Sequence, residues 1–508
     1  MRGGAALQVS VVALALAAAL VAATSAAAAP SRLDMGFYDP TANQNGGGVH
    51  YSTVRADVAM AKVAKTRSRF VRIPVRWDRI ACLDVRTRCT AMDRPSDPSD
   101  PDSPAYHWDQ PGWYELTAEI HEARNNGLLP VLSVFGAPAY AECDGTGARP
   151  GTNGILKCPG RPDRADEGNF RPDPQEYKLF LQAVSAKYPG VHHFQVWNEP
   201  NYSVFLKPAR TRWTVNRYRA LVNRASNALP SKFIIAGGTA PNARNYTHIK
   251  AYSPKEFMKR LLARKVKFDA YATHPYTPGG PWTAAANRTG SVWMGNLGQI
   301  RGVIRRAERA GRIQSPRAVQ LWVTEMSWDS APPDCRRGVR GRAVPMGLLT
   351  RWVAESAYSI WRQGFQVMIW GQLKDYPAAQ NPHQGGLYRG APKDRVGPAK
   401  AAMRPFRFPF VAYKRDGGAY VWGRLPSSRS GWVVVQRRVG GAWDKIAEFK
   451  TNDHGLFGKR LHFNRRKVSS LRARVRAGAY SAPFALNAPR VPAGIVPFGC
   501  LTLDDWVR

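Results

Sequence analysis

Eight short runs rich in β-branched and aromatic residues recur along this chain, with helix-length stretches between most of them. The runs are Leu33–Tyr38, Phe70–Val75, Leu128–Phe135, His192–Trp197, Lys232–Gly238, Phe268–Thr273, Leu321–Thr324 and Gln366–Trp370. Short apolar runs of this kind read as buried strands. Between them, Ser52–Thr66 and Trp113–Asn126 are amphipathic, and Pro174–Lys187, Thr214–Leu229, Pro254–Arg264, Gly295–Ala310 and Gly347–Gln363 continue the alternation. Strand alternating with helix argues for parallel βαβ units, and eight units argue for a closed barrel. The expected class is therefore α/β, a (β/α)8 TIM barrel over residues 30–403.

The stretches after the second and third runs, Arg79–Tyr106 and Ala137–Arg171, are long and rich in Pro, Asp and Gly. Loops that follow strands lie on the catalytic face of such a barrel, so these are expected to wall a cleft; ordinary surface insertions are the alternative. Near Ala401–Pro409 the pattern changes. Ala419–Gly423, Gly431–Arg437, Trp443–Lys450 and Leu471–Val475 are strand-like and separated by Gly, Ser and Asp turns. A small β-sandwich is expected over 404–490, similar in general pattern to immunoglobulin or fibronectin modules, with a tail over 491–508. It contains Trp422, Trp432 and Trp443. Alternation places such residues inside the sandwich, which favours a structural or spacer module over a carbohydrate-binding one.

Residues 1–29 read as a secretory signal: Arg2 at the start, a mostly apolar run from Leu7 to Ala23, and small residues from Ala26 to Ala29. An uncleaved anchor is the alternative, disfavoured by the polar Gln8 and Ser10. A secreted, extracellular protein is thus expected, with no membrane contact after cleavage. Six cysteines fit export. Local closure favours Cys82–Cys89 and Cys143–Cys158, leaving Cys335 for Cys500, among fifteen possible pairings. No C-x-x-C is present, and His192 and His193 are adjacent, so neither pattern reads as a metal site. The net charge of +38 is spread along the chain rather than gathered in a tail. General use of Arg on the surface accounts for this; an acidic glycan or cell envelope is the alternative partner. No nucleic-acid module is recognisable, and no nucleic-acid partner is expected.

Two glutamates carry the candidate chemistry. Glu199 closes Phe194-Gln-Val-Trp-Asn-Glu-Pro-Asn201, and Glu325 lies in Gln320-Leu-Trp-Val-Thr-Glu-Met-Ser-Trp328. They end the fourth and seventh runs, which face one another across the mouth of an eight-stranded barrel. Cleavage of a glycosidic bond needs such a pair of carboxyl groups, one on each face of the sugar ring.

On these residues the chain resembles clan A glycoside hydrolases, the retaining (β/α)8 group with the acid/base after strand four and the nucleophile after strand seven. Arg72-Ile-Pro-Val75 resembles the second-strand Arg motif of family 5, His274-Pro-Tyr276 resembles its sixth-strand His-x-Tyr, and Trp370 matches the aromatic of the eighth strand. Trp197-Asn-Glu-Pro-Asn201 followed by Phe205 is closer to family 39. One departure from family 5 is the absence of a third-strand His near Phe135–Tyr140. The resemblance implies that Glu199 is the acid/base and Glu325 the nucleophile. Arg72 then holds Glu325 ionised, Asn198 bonds the sugar 2-hydroxyl, Tyr276 touches Glu325, and Trp370 lies under the cleaved sugar. His274 joins the substrate-binding group, with a core role as the alternative. Trp328 is a candidate sugar-stacking residue, with Trp282, Trp293, Tyr202, Phe205 and Tyr140 beside it. A poly- or oligosaccharide substrate with β linkages is implied, and no cofactor or metal. Two other readings stay open: a transglycosidase using the same residues, and a non-catalytic basic protein that binds glycan or cell envelope.

Overall fold

The computed structural model describes residues 29–38, 42–45, 49–52, 55–81, 94–110, 114–150, 156–158, 168–242, 250–330, 343–375, 384–391, 395–476, 478–492 and 495. All eight expected runs form strands: β1 (Asp34–Tyr38), β2 (Phe70–Arg76), β3 (Leu129–Phe135), β4 (His193–Val196), β5 (Phe233–Thr239), β6 (Ala270–Thr273), β7 (Gln320–Val323) and β8 (Val367–Trp370). Each pairs in parallel with its neighbours in sequence, and β8 returns to β1 through Phe37↔Trp370, closing the barrel. β6 starts two residues later than its apolar run. The Asp269 carboxylate accepts the Ile234 backbone N–H at 2.9 Å, so this residue spends its side chain on the neighbouring strand just before β6 begins.

Seven helices fall in the expected stretches: α1 (Ala56–Lys65), α2 (Leu116–Asn125), α3 (Pro174–Lys187), α4 (Arg212–Ala228), α5 (Pro254–Leu261), α6 (Gly298–Arg309) and α7 (Met346–Arg362). Their starts follow local chemistry. α3 opens with Pro at its first position, and the Asp173 carboxylate accepts the Gln175 and Glu176 N–H groups. α5 repeats this with Ser253 capping Glu256. Apolar helix faces pack on the outside of the barrel in one large core. Inside the barrel, the rings of Phe70, His193, Phe233 and Trp322 form a plug with centroids 4.9–5.9 Å apart. Burial there pushes the His193 imidazole down to about 4, so it packs as a neutral ring.

The C-terminal unit is an antiparallel sandwich of seven strands: β9 (Phe410–Arg415), β10 (Gly418–Arg424), β11 (Trp432–Val439), β12 (Ala442–Lys450), β13 (Leu456–His462), β14 (Val468–Val475) and β15 (Phe484–Ala485). One sheet runs β9-β10-β13, the other β12-β11-β14-β15. Strands β9, β13 and β15 were not among the expected runs. Lys414-Arg415 and Lys459-Arg460 break the apolar alternation in the first two, and β15 is only two residues long.

The sandwich sits directly on α7. Trp422 is fully buried, its ring 5.3 Å from those of Tyr358 and Trp361. The Arg351 guanidinium lies 3.9 Å over Phe484, and its Nη1 donates to the Ala485 carbonyl at 2.8 Å. Trp361 Nε1 donates to the Pro30 carbonyl at 2.7 Å, tying the first described segment to the same seam. The expected interior position holds for Trp422 but not for Trp432, which is 43% exposed, nor for Trp443, which is half-buried with its ring against the Arg472 guanidinium. Cys143 and Cys158 form a disulfide. The expected Cys82–Cys89 and Cys335–Cys500 pairs, the leader, and most of the tail lie outside the described residues.

Candidate active site

The chemistry collects where β2, β4, β6 and β7 end. Arg72 points into the barrel above the ring plug and has no exposed surface. Its Nη1 donates to Glu325 Oε2 at 2.9 Å, and its Nη2 donates to Ser133 Oγ at 2.9 Å and to Asn198 Oδ1 at 2.7 Å. Tyr38 packs its ring 4.5 Å from the same guanidinium. A planar fork suits this task, because it serves several acceptors at fixed angles. One cation therefore fixes both Glu325 and the amide next to Glu199. Asn198, its oxygen committed to Arg72, is left with its NH2 group to donate to a bound molecule.

Tyr276 donates to Glu325 Oε1 at 2.7 Å, so each oxygen of that carboxylate has its own donor. Burial and the adjacent Glu325 charge push the Tyr276 hydroxyl well above its ordinary range, which keeps it a donor. Glu199 is treated differently. No Arg or Lys touches it among the described residues; its partner is His274, whose Nδ1 lies 2.9 Å from Oε1. Burial pushes the Glu199 carboxyl well above the usual range, the Glu325 charge adds to this, and Arg72 opposes it. Burial and the Arg72 charge hold His274 well below its ordinary value, so the imidazole is neutral. Its Nε2 meets Thr324 Oγ1 at 3.1 Å. With the imidazole proton on Nδ1, His274 donates to Oε1 and leaves Glu199 Oε2 to carry the acid proton. Burial thus favours the protonated form of Glu199, while Glu325 is faced by two donors, Arg72 and Tyr276, the asymmetry that acid and nucleophile require.

The backbone around Glu199 is strained. Trp197 has φ 66° and Glu199 has φ 36°, left-handed values that bulky residues rarely adopt. The Trp197 N–H donates to the Val134 carbonyl at 2.9 Å, and the Glu199 N–H donates to the Gly238 carbonyl at 3.1 Å. Gly237 and Gly238, both at positive φ, make that approach possible. A Cβ would fall 2.4 Å from the Ala272 carbonyl oxygen at the first and 2.4 Å from Gln195 Nε2 at the second.

Of the expected site residues, Glu199, Glu325, Arg72, Asn198, His274 and Tyr276 come together. Arg72 and His274 are wholly buried and act through the carboxylates, whereas the Glu199 and Glu325 side chains remain 10% and 15% exposed. Trp328 is not an open stacking surface. It is buried against Trp352 and Trp370, and its indole donates to the Thr277 and Gly279 carbonyls. Trp370 is likewise fully buried and donates to the Gly385 carbonyl at 2.8 Å. Trp282 packs on Tyr358 and Tyr413 at the seam, Trp293 donates to Asn242, and Tyr140 is buried on Trp77. Ser133, Thr324 and Tyr38 complete the site but were not anticipated. Ser133 was the accessible one, a lone hydroxyl inside the apolar Leu129–Phe135. Among the described residues, no group of three or more His, Cys, Asp or Glu is arranged to hold a metal ion.

Barrel and site together define a class: a (β/α)8 protein with a carboxylate after β7, gripped by Arg72 and Tyr276, facing a buried carboxyl after β4 whose pKa is raised. Several solved glycosidase structures align with this chain at low identity and with TM-scores below 0.5. A family 39 glycoside hydrolase from Bacteroides cellulosilyticus is 13% identical, covering 85% of this chain and 80% of its own, with TM-score 0.48. A monomeric beta-xylosidase from Caulobacter crescentus is 14% identical over 86% of this chain and 95% of its own, TM-score 0.43. A glucosidase from Croceicoccus marinus is 13% identical over 84% and 93%, TM-score 0.45. No family model and no curated protein matches the sequence.

The raised Glu199 carboxyl has a measurable consequence. When folding raises a carboxyl pKa, the stability it contributes is complete below the unfolded value and is lost as pH rises through the folded one. Glu199→Gln is therefore expected to melt above the wild type at pH 7. The gain should close as pH falls below about 4, under the ordinary glutamate value. Calorimetry at both pH values checks this; equal melting at pH 7 would mean that Glu199 is not held protonated by burial.

Proposed function

We propose that this protein is a secreted glycoside hydrolase that cleaves β-linked glycans with retention of configuration. The supporting observation is the Arg72 guanidinium, which grips Glu325 and Asn198 while Glu199 is left to a neutral imidazole. In the first step Glu325 attacks the anomeric carbon and the bond to the leaving oxygen breaks. Glu199 gives its proton to that oxygen. The product is a glycosyl ester on Glu325, whose negative charge has gone. Glu199, now ionised, takes a proton from water; the water oxygen bonds to the anomeric carbon and Glu325 leaves as carboxylate. The Asn198 amide is placed to donate to the 2-hydroxyl of the sugar, an interaction that strengthens as positive charge develops on the ring.

Spacing also supports retention. His274 Nδ1 is 2.9 Å from Glu199 Oε1 and 3.7 Å from Glu325 Oε2, so these two oxygens stand no further apart than those distances laid end to end. That bound on one oxygen pair is compatible with the about 5–5.5 Å between carboxyl groups in retaining enzymes. Export is supported by the apolar N-terminal run and by the Cys143–Cys158 disulfide.

The test is a panel of aryl β-glycosides and β-linked polysaccharides, with product configuration followed by NMR. The β-anomer is expected as the first-formed sugar. A first-formed α-anomer would exclude the double displacement, and a panel inert throughout would exclude the hydrolase reading.

A further inference from the structure

The sandwich carries a second constellation, unrelated to the barrel mouth. The sheet β12-β11-β14-β15 turns Leu471 and Ala473 to the core and Arg472 and Arg474 to its other, open-edged face, where Val434 is covered by the long side chains around it. On that face Arg472 lies between two rings, its guanidinium 4.2 Å from the Trp443 centroid and 4.3 Å from that of Tyr480. Its Nε donates to Gln436 Oε1 at 2.9 Å. Stacking and this bond fix the plane of the guanidinium and leave its two Nη groups without a partner among the described residues. Arg474 stands beside it, 5.8 Å over the Tyr480 ring, and Arg404, just before the sandwich, is near enough for its charge to act on Arg472. None of these three cations is paired with a carboxylate among the described residues. Burial, together with the like charges of Arg404 and Arg474, holds the Arg472 guanidinium below its ordinary range. Along β11 the same face continues from Gln436 to the exposed Trp432, about 13 Å away. There the Arg476 guanidinium lies 5.0 Å from the indole and its Nε is 2.7 Å from Glu448 Oε1, so this end of the face already has a carboxylate and the unpaired cations are those around Arg472.

Holding like charges together is unfavourable without a counter-charge. From Phe410 to Arg490 there are seventeen Lys and Arg against four Asp and Glu. A pre-oriented guanidinium fork matches a carboxylate, and flat rings flanking it match the C–H face of a sugar. We propose that this face binds an acidic polysaccharide whose sugars carry carboxylate groups. The site stands without the two glutamates; the choice of a glycan over another polyanion rests on reading the barrel as a glycosidase.

Affinity electrophoresis of the full chain tests it in gels containing polygalacturonate, neutral hydroxyethylcellulose or a single-stranded oligonucleotide. Retardation is expected with polygalacturonate and not with hydroxyethylcellulose. Arg472→Gln combined with Arg474→Gln should weaken it about tenfold. Arg415→Gln combined with Arg460→Gln, which removes the same charge from the opposite sheet, should leave it unchanged. Equal weakening in both pairs would reduce the effect to net charge and overturn the site, as would stronger retention by the oligonucleotide. Arg472→Lys guards against misfolding: it keeps the charge, loses the fork, and should weaken binding about threefold. Wild-type binding by Arg472→Lys also overturns the proposal. Aryl-glycoside turnover, assayed separately, should not change in the Arg472/Arg474 pair. Because binding is also measured with Glu325→Ala, loss of the hydrolase reading and loss of this site give different results.

Discussion

Replacing Glu325 with alanine is expected to slow turnover of an aryl β-glycoside by a factor on the order of 10⁴ or more, with the fold intact. The carboxylate that forms the covalent bond is then missing, and its donors Arg72 and Tyr276 surround an empty space. A small anion such as azide fits that space. Added azide is expected to restore release of the aryl group and to yield a glycosyl azide of inverted configuration, since only one displacement then occurs. In Glu199→Ala the covalent ester still forms from substrates with good leaving groups, and azide should give the product of retained configuration. The loss in that variant should be about 10²–10⁴-fold with poor leaving groups. The two products are separable by NMR. Retained configuration from Glu325→Ala, or undiminished turnover, would remove Glu325 from its role.

Arg72→Leu carries the largest expected loss of stability. The side chain it replaces has no exposed surface and serves Glu325, Ser133 and Asn198 at once. Without it the Glu325 carboxylate loses its cationic partner and keeps the Tyr276 hydroxyl as a donor, and the Asn198 oxygen loses the bond that orients it. Removing one partner of a buried ion pair costs about 3–5 kcal/mol. The same change should lower the rate on the order of 10²–10³-fold, because charge stabilisation at the reacting carboxylate goes with it. Arg72→Lys should recover part of the stability and little of the rate, since one ammonium cannot reach three acceptors in a plane. Denaturant unfolding and kcat measured together check both. A stable and fully active Arg72→Leu would show that the guanidinium only fills space.

The barrel was legible because its strands are apolar on both faces and its helices on one, so periodicity and spacing alone separate them. The sandwich was less so. β9 and β13 carry the consecutive exposed pairs Lys414-Arg415 and Lys459-Arg460, one residue of each pair on either face, which broke the alternation that marked β10 and β11. At the site, Glu199, Glu325, Arg72 and Tyr276 are charged or polar groups at strand ends, where packing does not call for them. Ser133 and Thr324 gave no such sign, since short hydroxyl residues are common in strands and their partners are far away in the chain. Aromatic residues misled for a related reason. Trp328 and Trp370 follow barrel strands as sugar platforms would, but what distinguishes a platform from a packed ring is the neighbour across it. For these two that neighbour is Trp352 or Phe406, each brought there only by the fold.

The seam on α7 changes what kind of object the C-terminal sandwich is. Modules strung on linkers can be cut off or exchanged, because each keeps its own interior. Here Trp422 completes its packing with Tyr358 and Trp361, and Arg351 is held by Phe484 and Ala485. A barrel ending at the linker would therefore present an uncovered aromatic surface to water, the kind of patch that drives association. The two units share one cooperative fate, and the smaller one is a wall of the larger rather than its passenger.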